Sequence, residues 1–154
     1  MTETTKKRLK EIEAGQIAPA FNKIILHHTA TPREAKFDVE WCRRLHKGKG
    51  WRDIGYHYYI DADGEFHFGR PARMRGAHTL GQNAESIGIA YCGGLKNGKA
   101  HFTMTYEQSQ TITVLIERLR DVTNKELPLY GHREFSATFC PGFDVHDITA
   151  WPRP

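Results

Sequence analysis

The run Ile24-Ile25-Leu26, closed by the adjacent histidines His27 and His28, constrains this chain more than any other segment. Three consecutive apolar residues cannot alternate between core and solvent. A strand of that pattern is buried on both faces, so other elements must cover its sheet above and below. Ser86 to Cys92 repeats the pattern and is closed by Gly93-Gly94. Two such strands in 154 residues predict one layered α/β domain, a central mixed β-sheet flanked by helices.

The remaining elements fit that plan. Gly55 to Asp61 is a strand rich in tyrosine and isoleucine. Asp63-Gly64 is a hairpin turn, and Glu65 to Phe68 returns as its partner. Thr31-Pro32 breaks the first strand, residues 70–85 form a loop, and Leu127 to Tyr130 is a last short strand. Residues 37–47 predict a helix with Phe37, Trp41 and Leu45 on one face, ended by Gly48 and Gly50. Thr105 and Gln108 make a capping box for the longest helix, Tyr106 to Thr123. Its apolar stripe is Ile112, Leu115, Leu119 and Val122. Residues 2–14 read as a short charged helix with Leu9 and Ile12 as its aliphatic anchors. The expected division is an N-terminal helix and linker over 1–21 and the main domain over 22–154.

Several function classes drop out. No apolar run approaches the roughly 18 residues of a membrane span, so no membrane insertion is expected. Met1 to Gly15 is charged and lacks an apolar h-region, which predicts synthesis in the cytoplasm without a Sec-type signal peptide. Cys42, Cys92 and Cys140 are odd in number and irregular in spacing. They give no disulfide framework; a reduced compartment and a metal or structural role fit better. The net charge of +4 favours anionic partners. The basic residues are scattered, however, with no finger spacing and no aromatic-basic RNA signature, so nucleic acid is not expected.

Nine histidines are many for this length. His27 and His57 stand in strands, His132 follows the last strand, and Cys140 lies in the loop beyond it. Two imidazoles and a thiolate give the three protein ligands of a catalytic zinc site and suit zinc over magnesium or calcium. The spacing alone does not fix such a site. The plainer reading makes His27 a hydrogen-bonded core histidine and Cys140 a small buried hydrophobe. His27 and His28 point to opposite faces of their strand, and periodicity does not choose between them.

Five blocks, taken in order, carry a resemblance. They are Ile24 to Thr31; Gly50-Trp51-Arg52-Asp53-Ile54-Gly55-Tyr56-His57-Tyr58; and Gly76-Ala77-His78 with Asn83. The fourth is Ser86-Ile87-Gly88-Ile89; the last is Gly131-His132-Arg133-Glu134 with Thr138 and Cys140-Pro141-Gly142-Phe143-Asp144. Over about residues 22–148 the chain resembles the type 2 N-acetylmuramoyl-L-alanine amidases, the family of the bacteriophage T7 lysozyme and the animal peptidoglycan recognition proteins.

The resemblance implies a Zn2+ cofactor held by His27, His132 and Cys140, and it prefers His27 over His28. It makes Tyr56 a catalytic hydrogen-bonding residue. At Thr138 the phage type has a lysine and many animal members a threonine. His78, Asn83 and Arg75 fall in the loop that lines the family's substrate groove. The implied reaction is hydrolysis of the lactyl–L-alanine amide of peptidoglycan, by a monomer. A phage or prophage endolysin is favoured, acting on the cell wall after release through a holin, lysis or a secretion machine. One rival is a non-catalytic peptidoglycan-binding module, but binding-only members usually lose the cysteine. A second is a cytoplasmic muropeptide-recycling amidase, whose third ligand is usually aspartate. A third is a regulatory partner protein.

Overall fold

The computed structural model describes residues 1–154. In chain order the elements are helix α1 (Glu3–Lys10), strands β1 (Lys23–His28) and β2 (Thr31–Pro32), and helix α2 (Val39–Gly48). Strands β3 (Tyr58–Ile60), β4 (Phe66–Phe68), β5 (Ser86–Tyr91), β6 (Gly94–Lys96) and β7 (Lys99–Ala100) follow. Helix α3 (Tyr106–Thr123) and strand β8 (Leu129–Gly131) come last. The main sheet runs β4-β3-β5-β1-β8. Its pairs are parallel except for the antiparallel hairpin β3–β4. This is the expected mixed sheet.

The apolar run of β1 is buried on both sides, as its composition requires. Ile24 and Leu26 join Ile87 and Ile89 of β5, Tyr58 and Ile60 of β3, and Ile112, Leu115 and Leu119 of α3 in the main core. Each fully buried aliphatic side chain there contributes about 1.5–3 kcal/mol. On the opposite face Tyr59, Ala90 and Cys92 pack with Ile54 and with Val39 and Cys42 of α2. Cys42 and Cys92 are thus packing residues.

The capping box of α3 forms as expected. Gln108 N–H donates to Thr105 Oγ1 at 3.1 Å, and Thr105 N–H donates to Gln108 Oε1 at 3.0 Å. The Gln108 amide also donates to the carbonyls of Asp61 at 3.0 Å and Cys92 at 2.9 Å. One buried side chain therefore caps the helix and ties it to the ends of β3 and β5.

The N-terminal helix is shorter than the 2–14 expected, and it is well anchored. Leu9, Ile12, Ile17 and Phe21 belong to the main core. Strand β4 is a sheet edge, whose free backbone groups invite unwanted pairing. Helix α1 covers it: Phe66 N–H donates to Thr5 Oγ1 at 3.0 Å, and Arg8 donates to Phe66 O at 2.9 Å.

Two further expectations need correction, and His57 finds its role. The buried face of α2 is Val39, Cys42 and His46, while Leu45 is 44% exposed. Phe37 lies before the Asp38 cap, which fixes the phase of the helix, and stacks on Trp41 with ring centres 3.8 Å apart. Thr31-Pro32 does not simply end β1 but forms a second small sheet with β6 and β7. The β6–β7 hairpin turns at Asn97-Gly98, both at positive φ. Finally, His57 belongs to the scaffold. Its Nδ1 accepts from Gly88 N–H at 3.0 Å, so its Nε2–H faces the Met74 carbonyl at 2.8 Å.

Two stability tests follow from these contacts. Gln108→Ala removes a cap and strands two buried carbonyls, so it is expected to cost about 2–4 kcal/mol in urea unfolding, against about 1 kcal/mol for Thr105→Ala. Equal costs would show that the cross-ties to Asp61 and Cys92 carry no energy. Burial holds the His57 pKa down to about 4, with the Met74 carbonyl opposing and Arg70 assisting. An unfolded histidine titrates near about 6.5, so between these values only the unfolded chain binds the proton. The stabilisation, on the order of 3 kcal/mol, is complete above the unfolded pKa and is lost as pH falls toward the folded one. Metal-free protein should lose stability across that window, and His57→Asn should flatten the slope. An unchanged slope in the variant would contradict this.

Candidate metal centre and cleft

Strand pairing assembles the donors. Leu26 of β1 lies opposite Gly131 of β8, so the next residues, His27 and His132, emerge side by side with rings 4.5 Å apart. Gly131 permits the loop beyond β8 to fold back, because a Cβ there would sit 2.8 Å from Pro141 Cδ. Arg133 N–H donates to Cys140 O at 2.8 Å, and His28 N–H donates to Cys140 Sγ at 3.2 Å. His27, His132 and Cys140 then present donor atoms all within 4.8 Å of one another. Small side-chain adjustments bring such a set onto one tetrahedral zinc ion.

His27 and His28 part as neighbours on a strand should. His28 Nδ1 accepts from Ala30 N–H at 3.1 Å, and its ring packs against Tyr91 and Phe139. His27 Nε2 faces His78 Nδ1 at 2.9 Å and Thr79 Oγ1 at 3.3 Å, which leaves Nδ1 for a metal. Outer contacts of this kind orient metal-binding imidazoles. His78 can lie flat on the sheet because residue 88 is glycine; a Cβ there would meet the His78 ring at 2.5 Å.

The electrostatics suit the same conclusion. Burial, then His78, His132 and His28, push the His27 pKa well below its ordinary value, and burial lowers that of His132. Both are neutral at physiological pH, the form that ligates. Burial pushes the Cys140 thiol up to about 12, only partly offset by the His28 N–H. A thiol held that high is a poor nucleophile without a cation beside it, whereas a coordinated one loses its proton outright. Neutral imidazoles beside an inert thiol make a poor acid–base pair and a good metal site.

The donors line a cleft of about 280 Å³, with Tyr56 and Thr138 beside them. The Tyr56 ring is 5.2 Å from that of His27. Burial raises its hydroxyl far above the ordinary range, so it remains an O–H donor. Thr138 Oγ1 accepts from Cys140 N–H at 3.2 Å and keeps its own proton to donate. A larger hollow of about 430 Å³ between residues 11–16 and 68–73 holds none of the three donors. The chemistry, rather than the volume, marks the site.

The three residues expected along the groove are placed differently from one another. His78 lines the cleft, though its ring nitrogens are engaged by His27, Thr79 and Ser86. Asn83 Oδ1 accepts the N–H groups of His78 and Thr79, both at 2.9 Å, and so fixes the loop behind His27. Arg75 is exposed and outside the cleft lining; its carbonyl accepts from Arg70. His46, Lys49 and Trp51 also line the cleft. The sequence reading gave none of them a role, and it missed His46 because it placed the buried face of α2 on Leu45.

Comparison with known proteins shows the family. The family model for N-acetylmuramoyl-L-alanine amidase matches residues 18–143. The endolysin of Escherichia phage T7 is 34% identical over 123 residues, covering 79% of this chain and 81% of the relative. A peptidoglycan-recognition protein of Drosophila simulans is 32% identical over 136 residues, covering 84% and 74%. The solved N-acetylmuramoyl-L-alanine amidase LysC from Clostridium intestinale superposes with a TM-score of 0.68 at 30% identity, covering 86% of this chain and 85% of that one. The protein therefore belongs to the N-acetylmuramoyl-L-alanine amidase family.

Proposed function

We propose that this protein is a zinc-dependent endolysin that hydrolyses the amide between the lactyl group of N-acetylmuramic acid and L-alanine in peptidoglycan. The convergence of His27, His132 and Cys140 beside Tyr56 in one cleft carries this reading. The family match supports the reaction, and the phage relatives support the endolysin role. The site of action would be the wall, reached after release from the cell that makes the protein.

The three donors would hold zinc, which supplies Lewis acidity toward water and toward the amide carbonyl. The chain's own residues do the rest. His78 and Thr79 hold the His27 ring, and His28 N–H steadies the sulfur of Cys140. The Tyr56 O–H, kept protonated by burial, donates toward the water or the developing oxyanion. Thr138 donates a second, neutral hydrogen bond, where a lysine would supply a full charge.

The relatives that are recognition proteins keep a binding-only reading in view. The intact donor set with Tyr56 favours catalysis. Purified protein is expected to carry stoichiometric zinc. Cys140→Ser should lose most of the metal and turnover while keeping its fold by circular dichroism, and His27→Ala should lose metal where His28→Ala retains it. Full activity in Cys140→Ser would remove Cys140 from the ligand set, and the reverse histidine pattern would swap their roles.

A further inference from the structure

The loop beyond β8 has little regular structure to hold it. Strand β8 is three residues long, and one turn of 3₁₀ helix follows at His132–Glu134. The next element is the short turn Ile148–Ala150. Two of the three donors, His132 and Cys140, lie in this stretch. One side chain ties its two limbs together. Glu134 Oε2 accepts from Gly131 N–H at 2.6 Å, at the residue before His132. Its Oε1 accepts from His146 Nε2–H at 2.9 Å, on the limb that returns beyond Cys140. Smaller contacts converge on the same neck. Phe135 N–H donates to His132 O at 3.0 Å, which closes the turn around the donor. The His146 ring faces that of Tyr130 of β8, with centres 6.0 Å apart. His146 N–H donates to Asp144 Oδ1 at 2.9 Å, which fixes the backbone that carries the ring.

We infer that Glu134 is a positioning residue for the metal centre, with His146 as its second leg. One carboxylate spans the neck of the loop and holds His132 and Cys140 side by side before an ion arrives. The inference rests on the zinc reading of the site. A carboxylate suits this task because its two oxygens accept independently, here from a backbone N–H and from an imidazole. The Gly131 bond is the stronger leg, since it satisfies a backbone donor of a buried residue. The His146 leg is weaker: 54% of its side chain and 35% of that of Glu134 reach solvent, which screens the pair. Its leverage comes from where it closes. Without the clasp, the limbs keep the Arg133 N–H bond to Cys140 O, and Cys140 Sγ keeps the His28 N–H. Glu134 therefore acts through the loop and not on the reacting atoms.

The test is zinc affinity, read by competition with a chromophoric chelator. Glu134→Ala is expected to bind zinc roughly tenfold to a hundredfold more weakly than the wild type. His146→Ala should weaken binding by up to about fivefold. His146→Lys keeps a cation opposite the carboxylate and should restore most of that loss. In the Glu134→Ala background, His146→Ala should cost nothing further, because the two act as one unit. A merely structural role would lower the urea stability of the metal-free protein without this pattern. Co(II) in place of zinc gives a second readout, since its visible bands report coordination geometry and should change in Glu134→Ala. Unchanged zinc affinity in both single alanine variants, or additive losses in the double variant, would overturn the clasp and leave the zinc reading intact. If Glu134→Ala does not fold, His146→Ala and its rescue by lysine decide the matter alone. Wild-type protein without measurable zinc affinity would refute the metal reading, and the clasp with it.

Discussion

Parallel pairing between β1 and β8 sets the position of everything that follows. Two histidines 105 positions apart in sequence become neighbours because Leu26 lies opposite Gly131 and the residue after each is a histidine. That register depends on burial. Ile24 and Leu26 face the α3 side of the sheet, and a slip of one residue would turn every side chain of β1 to the other face. The same slip would carry His27 away from His132 and bring His28 in its place. The apolar run that fixes the strand therefore also decides which histidine joins His132 and Cys140. The third donor depends on a second close approach, the return of the loop over Gly131, where a side chain would collide with Pro141.

Burial then gives the donors their chemical character. Desolvation disfavours every charged form, so the histidines stay neutral and the cysteine stays a thiol until a cation arrives. Tyr56 remains a donor for the same reason. The site is prepared by the packing of the sheet more than by any charged partner. The one formal charge among the cleft-lining residues, on Lys49, sits on an exposed side chain.

Much of this was legible in the sequence, and the misses share a cause. Consecutive apolar residues locate β1 and β5, and the capping box locates α3 to its first residue. These signals are local and strong. The face of α2 was misread because Phe37, Trp41 and Leu45 are spaced four apart, while the Asp38 cap and the need to bury Cys42 and His46 set the actual phase. The β6–β7 hairpin escaped because Lys96 and Lys99 flank its turn, although Asn97-Gly98 is a strong turn signal on its own. The membership of the donor set could be inferred from the family blocks alone. The position of His78 behind His27 is set by its close approach to Gly88, which no spacing rule encodes, while Asn83 holds the same loop through local bonds.

The central claim is that the cleft performs zinc-dependent amide hydrolysis, and chemical analysis of the products tests it most directly. Purified peptidoglycan would be digested with and without a zinc chelator, and the newly exposed groups identified. New amino termini on L-alanine, lost with the chelator and restored by added zinc, are the expected result. New reducing sugar ends would contradict the account by showing glycosidic cleavage. The absence of any new ends, with the protein still sedimenting with the wall, would contradict it by showing a binding module.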